Sequence, residues 1–391
     1  MSKWESLPLG ELCKVNIGRT PARDRQDYWG HGNLWLSIAD MNQGRILETT
    51  KERITDVAVC ECNCRPVEVG TVLLSFKLSI GKVGIASVPL FHNEAIASLP
   101  IRDISKLLPD YLYWALQAID LTHGLDRAAK GLTLNKAKLL EIKLPIPPLE
   151  EQKRIAEILD RSQFLISKRQ EAIAQLDTLT QAIFIEMFGD PVSNPKGFPI
   201  RKIKDLLESA SYGTSEKSSS EGEFPVLRMN NITRTGEIDL TDLKYMNLAD
   251  NQKERYLVSS GDVLFNRTNS AELVGKTAIV RQVPKPMAYA GYLVRLRVNK
   301  DNNPEYLSAF LNTDYSKRVL RGMCKSIIGM ANINATEVQT IKIVQPPLPL
   351  QQEFAQRVEA VEKLKATHRT SLTELQSLFA SLQHRAFRGE L

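Results

Sequence analysis

Apolar positions between residues 155 and 187 recur in steps of four and three, and the same register returns 199 residues later. The first seam runs through Ile155, Leu159, Ser162, Ile166, Arg169, Ile173, Leu176, Thr180, Ile183 and Met187. The second runs through Phe354, Val358, Val361, Lys365, His368, Leu372, Leu375, Phe379, Leu382 and Ala386. Each seam lies in a run without Gly or Pro, opened by Pro147-Pro148-Leu149-Glu150-Glu151-Gln152 in one copy and Pro346-Pro347-Leu348-Pro349-Leu350-Gln351 in the other. Such a start followed by such spacing predicts one long helix per copy. A single helix of this kind could equally lie on its own domain. The duplication favours an antiparallel pair, joined through Ile155, Leu159, Ile166, Ile173, Leu176, Ile183, Phe354, Val358, Val361, Leu372, Leu375, Phe379 and Leu382, with the polar interruptions fixing register. At about 1.5 Å per residue the first helix would be roughly 55 Å long, a rigid spacer between globular regions.

The segments between the helices also repeat, with short alternating or wholly apolar runs that read as strands. Trp35 to Met41 corresponds to Phe224 to Ile232, and Gly70-Thr71-Val72-Leu73-Leu74-Ser75-Phe76-Lys77 to Gly261-Asp262-Val263-Leu264-Phe265-Asn266-Arg267. A short helix follows in each, at Pro109-Asp110-Tyr111-Leu112 and Pro304-Glu305-Tyr306-Leu307. The expected class is α+β: two pseudo-symmetric globular α/β domains separated by two long antiparallel helices. The boundaries are 1–146, 147–191, 192–345 and 346–391. The offset between copies varies in the globular regions but holds at 199 through the helices, so loop length drifts while helix length is kept. That pattern suits loops that choose a target and helices that set a distance.

Charge refines this picture. The net charge of +6 is divided as +2 over residues 1–145, −3 over 146–191, +6 over 192–345 and +1 over 346–391. Basic globular regions are compatible with a polyanionic partner. No window is apolar enough to span a bilayer and the start lacks a signal-like core, so a soluble cytoplasmic protein is expected, without a membrane partner. Five cysteines fit reduced thiols, and Cys60-Glu61-Cys62-Asn63-Cys64 would place three on one face of a strand. No second Cys or His cluster accompanies them, so no metal site is expected.

Candidate chemistry is sparse. Ser270-Ala271-Glu272-Leu273-Val274-Gly275-Lys276-Thr277 approaches a phosphate-cradling loop but has Ser270 where the first Gly is required. Its counterpart, Ser79-Ile80-Gly81-Lys82-Val83-Gly84, lacks a hydroxyl residue after Lys82. Both are better described as turns presenting a cation beside a strand end. No nucleophile elbow, zinc pair or methyltransferase signature is present, so no catalytic residue is assigned. The chain reads as a binding and assembly subunit.

Tandem globular halves, each followed by a Pro-Pro-Leu-x-x-Gln helix ending in Phe188-Gly189-Asp190 or Phe387-Arg388-Gly389, resemble the specificity subunit (HsdS) of type I restriction-modification systems. The resemblance covers essentially the whole chain. It implies two target recognition domains, each reading one half of a split double-stranded DNA site, with the helices fixing the gap. It also implies two methyltransferase subunits (HsdM) and two ATP-dependent restriction/translocase subunits (HsdR) as partners. S-adenosylmethionine, ATP and Mg are then expected on those partners, and no cofactor in this chain. The candidate DNA contacts are Arg19, Lys77, Lys82, Arg127 and Lys130 in the first domain, and Arg228, Arg267, Asn269, Lys276, Arg321 and Lys325 in the second. A stand-alone nucleic-acid-binding regulator and a coiled-coil scaffold are the rival readings.

Overall fold

The computed structural model describes residues 3–121, 127–128, 131–132, 134–270, 272–283, 285–327 and 330–391. It divides into two compact units, Met1–Lys168 with Ser371–Leu391, and Arg169–Thr370. The two long helices are continuous, Leu149–Phe188 and Leu348–Arg388. The unit boundaries cut both helices, so each unit contains one globular domain, the start of its own helix and the end of the other.

In the first unit a five-stranded sheet has the order Asn16–Ile17, Ile96–Leu99, Val72–Ser75, Val83–Ala86, Ile46–Leu47, antiparallel except for the last pair. The central strand is apolar on both faces because both are covered. Val72 and Leu74 face a core shared with the helix Pro109–Ala118 and with Ile155 and Leu159, while Leu73 faces a smaller core of Leu36, Met41, Leu47 and Leu90. A three-stranded sheet of Glu52–Ile54, Trp29–Leu36 and Phe91–His92 adjoins it.

The second unit repeats the plan. Its four-stranded antiparallel sheet runs Leu207–Tyr212, Leu293–Val298, Val263–Asn266, Thr277–Ile279, and its three-stranded sheet runs Lys244–Met246, Phe224–Leu227, Ala288–Tyr289. Val263 and Phe265 again face the helix-side core and Leu264 the other. Gly70 and Gly261, which precede the equivalent strands, take φ of +82° and +90°, conformations that glycine adopts without steric penalty.

The repeated motifs have a common physical cause, which is to fasten each domain to the start of its helix. Ser6–Pro8 pairs antiparallel with Lys143–Pro145, and Ile200–Lys202 with Lys342–Val344. The Tyr111 hydroxyl donates to Pro145 O at 2.6 Å, and the Tyr306 hydroxyl donates to Val344 O. Gln152 and Gln351 are fully buried. Gln152 accepts from Leu108 N at 3.0 Å and donates to Lys106 O at 2.7 Å and Pro147 O at 2.9 Å. Gln351 accepts from Asn303 N at 2.8 Å and donates to Pro346 O at 2.8 Å. The glutamine of the Pro-Pro-Leu-x-x-Gln motif thus satisfies backbone groups that the proline-rich hinge would leave unpaired in a dry interior.

Within each unit the helix segments pack through their seams. In the first, Ile155 and Leu159 share a core with Phe379, Leu382 and Ala386, and the Trp114 and Phe379 rings lie 5.6 Å apart. In the second, Phe354 meets Phe188 and Phe184 at 5.3 and 5.8 Å, Lys365 meets Asp177, and His368 meets Arg169, an antiparallel sequence of contacts. Ile166, Val358 and Val361 are buried, whereas Ile173, Leu176, Ile183, Leu372 and Leu375 are half-buried. Lys365 is 2% exposed, and although burial opposes its charge, Asp177 at 2.6 Å, Glu237 and Glu362 at 3.2 Å carry its pKa above the ordinary value.

Two local expectations are corrected. Residues 60–64 are not a strand: the Thr55 hydroxyl accepts from Ala58 N and starts the helix Asp56–Glu61, which ends before Asn63 at φ +50°. Cys60 is therefore exposed, Cys62 half-buried and Cys64 buried, rather than aligned on one face. The strands starting before Trp35 and at Phe224 stop at Leu36 and Leu227, because Asp40 and Asn231 side chains accept from Ser37 N and Arg228 N, each at 2.9 Å, and turn the chain. Among the described residues no helix is long and apolar enough to cross a membrane, and no group of three or more His, Cys, Asp or Glu side chains is arranged to hold a metal ion.

Candidate nucleic-acid interface

Each domain contains a cleft where the chain passes from one sheet to the other, and in both a glycine makes the passage. Arg19 N donates to His92 O at 2.9 Å, and a Cβ on Gly18 would lie 2.0 Å from the same oxygen. In the second domain Thr214 N donates to Tyr289 O at 3.0 Å, and a Cβ on Gly213 would lie 2.4 Å from the carbonyl oxygens of Tyr289 and Ala290. The space demands glycine at both positions, since no backbone neighbour can yield that far.

The first cleft, about 220 Å³, is lined by Asn16, Arg19, Arg65, His92 and Lys136 among others. Arg19 is held by a bond from Nη1 to Cys62 O at 3.1 Å and remains exposed. His92 is 4% exposed, and burial lowers its pKa to about 4, so the ring on the cleft floor is neutral at physiological pH. The second cleft, about 690 Å³, is lined by Thr214, Lys217, Arg228, Arg267 and Tyr292 among others. Arg267 lies over the Tyr212 ring at 4.9 Å, and Arg228 Nη2 donates to Asp242 O at 2.8 Å and Oδ2 at 2.9 Å. The Nε atoms of both arginines are buried without a protein partner. A cleft with two guanidinium groups and an exposed tyrosine edge offers the donors that suit phosphate oxygens or guanine edges, together with a stacking surface.

A third basic site of about 210 Å³, in the second domain, is lined by Arg234, Glu272, Val274, Lys276, Lys317 and Arg321. Lys317 donates to Gly275 O at 2.6 Å and Asn312 Oδ1 at 2.9 Å. Burial, with Lys276 and Arg321 nearby, lowers its pKa to about 8.

The structure thus brings Arg228 and Arg267 together, brings Lys276 and Arg321 together, and places Arg19 in a cleft of its own. It does not present Lys82 and Lys276 as outward cations, which is a correction. Lys82 Nζ donates to Ile38 O at 3.1 Å, and Lys276 Nζ donates to Met229 O at 2.9 Å and to Ile232 O. Ile38 and Met229 are equivalent positions, so this lysine ties the same turn in both domains, and burial lowers the pKa of Lys276. Lys77 is half-buried with its ammonium 5.3 Å from the Phe76 ring, and the Asn269 side chain accepts from Ser270 N at 2.9 Å. Lys130 lies outside the described residues, as do the side chains of Arg127 and Lys325. Arg65, Lys136, Lys217, Arg234 and Lys317 line these clefts but were not among the sequence candidates. No motif singles them out, because they reach the clefts from separate loops and helix starts.

Comparison with known proteins places these observations. The family model for the type I restriction modification DNA specificity domain matches residues 1–175 and 195–377. The type I restriction enzyme EcoKI specificity subunit of Escherichia coli K12 is 26% identical over 269 residues, which span 64% of this chain and 58% of that protein. The MjaIX specificity subunit of Methanocaldococcus jannaschii is 24% identical over 412 aligned positions, covering 99% of this chain and 93% of the relative. Among solved structures, a chain from a study of complex assembly and conformational transition of the type I R-M system matches with a TM-score of 0.61 at 18% identity, covering 99% of this chain and 98% of that one. The type I restriction-modification S subunit from M. genitalium matches with a TM-score of 0.56 at 14% identity, covering 99% and 96%. At these identities the structural matches speak for the fold.

Proposed function

The chain belongs to the type I restriction-modification DNA specificity family, and from that membership we propose that it reads a bipartite double-stranded DNA target, one half-site per globular domain. The observation that carries this reading is the cleft built twice on the same glycine passage and lined differently in each copy. Equivalent scaffolds with different side chains suit two different half-sites. Arg19, Arg65 and Lys136 would serve the first, and Arg228, Arg267 and Tyr292 the second. A few base-edge contacts worth about 1–3 kcal/mol each would supply the discrimination. Arg234 and Arg321 would add salt-dependent phosphate attraction.

In this reading the long helices set the gap and dock two methyltransferase subunits, and two restriction/translocase subunits complete the nuclease. S-adenosylmethionine, ATP and Mg then belong to those partners, in the cytoplasm, and this chain supplies recognition without a catalytic group. The test is a map of methylated adenines in DNA from a methylation-free host expressing the chain with and without its methyltransferase subunit. A split motif with a fixed gap that appears only with both is the expected result. No modification by a soluble, associated pair would overturn the reading.

A further inference from the structure

The turn that follows the lysine-tied segment ends in Gly44-Arg45-Ile46 in the first domain and Gly236-Glu237-Ile238 in the second, with both glycines at positive φ, +108° and +85°. The residue after the glycine carries opposite charge in the two copies, and in each unit it reaches a long helix. Arg45 Nη1 pairs with Asp160 of the first helix and Nη2 with Asp110 of the short domain helix. Asp160 is further held by Trp114 Nε1 at 2.8 Å. In the second unit Glu237 pairs with Lys365 and Arg369 of the second helix, and its side chain is 14% exposed. Beside it Arg281 bridges Glu305 of the short domain helix at 2.6 Å and Glu362 of the long one at 4.0 Å.

The helix partners are not interchangeable. At the 199-residue offset Lys365 and Arg369 correspond to Ile166 and Gln170, so the first helix has no cation where Glu237 finds two. Asp160 corresponds to Glu359, which pairs with Lys363 at 2.7 Å on an exposed surface. Set on the first helix, Glu237 would face Asp160 without a counterion. Set on the second, Arg45 would replace the carboxylate that Lys365 and Arg369 share. The second pair is the buried one, with side chains 3% and 14% exposed, and a charge that loses its partner there is strongly disfavoured.

We propose that Arg45 and Glu237 are positioning residues that key each recognition domain to its own helix by opposite charge, and so hold the orientation in which its half-site is read. The inference rests on the bipartite DNA-reading role proposed above. Its test uses the full chain with its methyltransferase subunit and a set of DNA substrates in which the gap is native, one base pair shorter or one longer.

Arg45→Glu is expected to lower methylation of the native-gap substrate by about tenfold or more, the scale of a like-charge reversal at a contact site. It should also narrow the preference for the native gap over its neighbours. Adding Asp160→Arg should bring back a measurable part of the rate, because it restores one of the two ion pairs while Asp110 still faces the new carboxylate and Trp114 Nε1 loses its acceptor. A role confined to folding would lose all gaps equally, whether or not reversing the partner restores the rate, so the change in gap preference is the discriminating readout. Arg45→Gln and Glu237→Gln, which remove charge without adding repulsion, serve as milder variants with the same gap readout. Unchanged rate and gap preference in all variants, or an Arg45→Glu defect that Asp160→Arg leaves untouched, overturns the keying. Absence of methylation by the wild-type pair overturns the underlying function instead.

Discussion

Replacing Gln152 by Leu isolates what the repeated hinge glutamine does. Leu is of similar size and apolar, so the cavity term is small, and the change removes one acceptor and two donated bonds from a site of zero exposure. Leu108 N, Lys106 O and Pro147 O, now bonded at 3.0, 2.7 and 2.9 Å, would be left without that partner. An orphaned buried group costs about 1–3 kcal/mol, and partial access of water at the Leu108 and Lys106 ends lowers the sum. The expected loss is about 3–5 kcal/mol from the first unit, with Gln351→Leu acting similarly on the second. Urea denaturation of the full chain, followed by hydrogen exchange at Leu108 and Asn303, reads both effects. Gln152→Leu should lower protection at Leu108 and leave Asn303 unchanged, and Gln351→Leu the reverse. A loss below about 0.5 kcal/mol, the range of ordinary surface substitutions, would refute the claim that this glutamine fastens domain to helix.

Three further variants probe the clefts and the third basic site. Arg267→Ala is expected to cost about 1–3 kcal/mol of discrimination at one position of the second half-site and leave the first half-site unchanged, whereas Arg321→Ala should weaken binding evenly across sequences and reduce the salt slope by about 1. Binding measured over a salt series and a library of half-sites separates the two, and a uniform effect of Arg267→Ala would remove it from base contact. His92 has a folded pKa of about 4, below the ordinary 6.5, so its contribution is full above pH 6.5 and is lost as the pH falls toward 4, by roughly 3 kcal/mol at about 1.4 kcal/mol per pH unit. Urea unfolding of His92→Asn should therefore fall less steeply than wild type between pH 6.5 and 4.5, and parallel profiles would contradict a buried neutral ring.

Periodic and repeated features are legible along the chain. Heptad-like spacing without Gly or Pro specifies a long helix whatever surrounds it, and a run such as Val72-Leu73-Leu74-Ser75 after a glycine turn specifies a doubly covered strand. The resemblance to a specificity subunit also lay in these repeats. Residues 60–64 do not form the strand that their three-cysteine alternation suggests, because capping by Thr55 starts the helix Asp56–Glu61 and this local signal outweighs the alternation.

Which cations face outward follows from long-range packing. Lys82 and Lys276 sit in loops that look exposed, yet their ammonium groups turn inward because a carbonyl on a distant turn lies within reach. Arg228 and Arg267 are 39 positions apart in sequence and share a cleft because their strands belong to adjoining sheets. Side-chain direction depends on long-range strand order and on which carbonyls lack partners, and neither leaves a periodic trace along the chain.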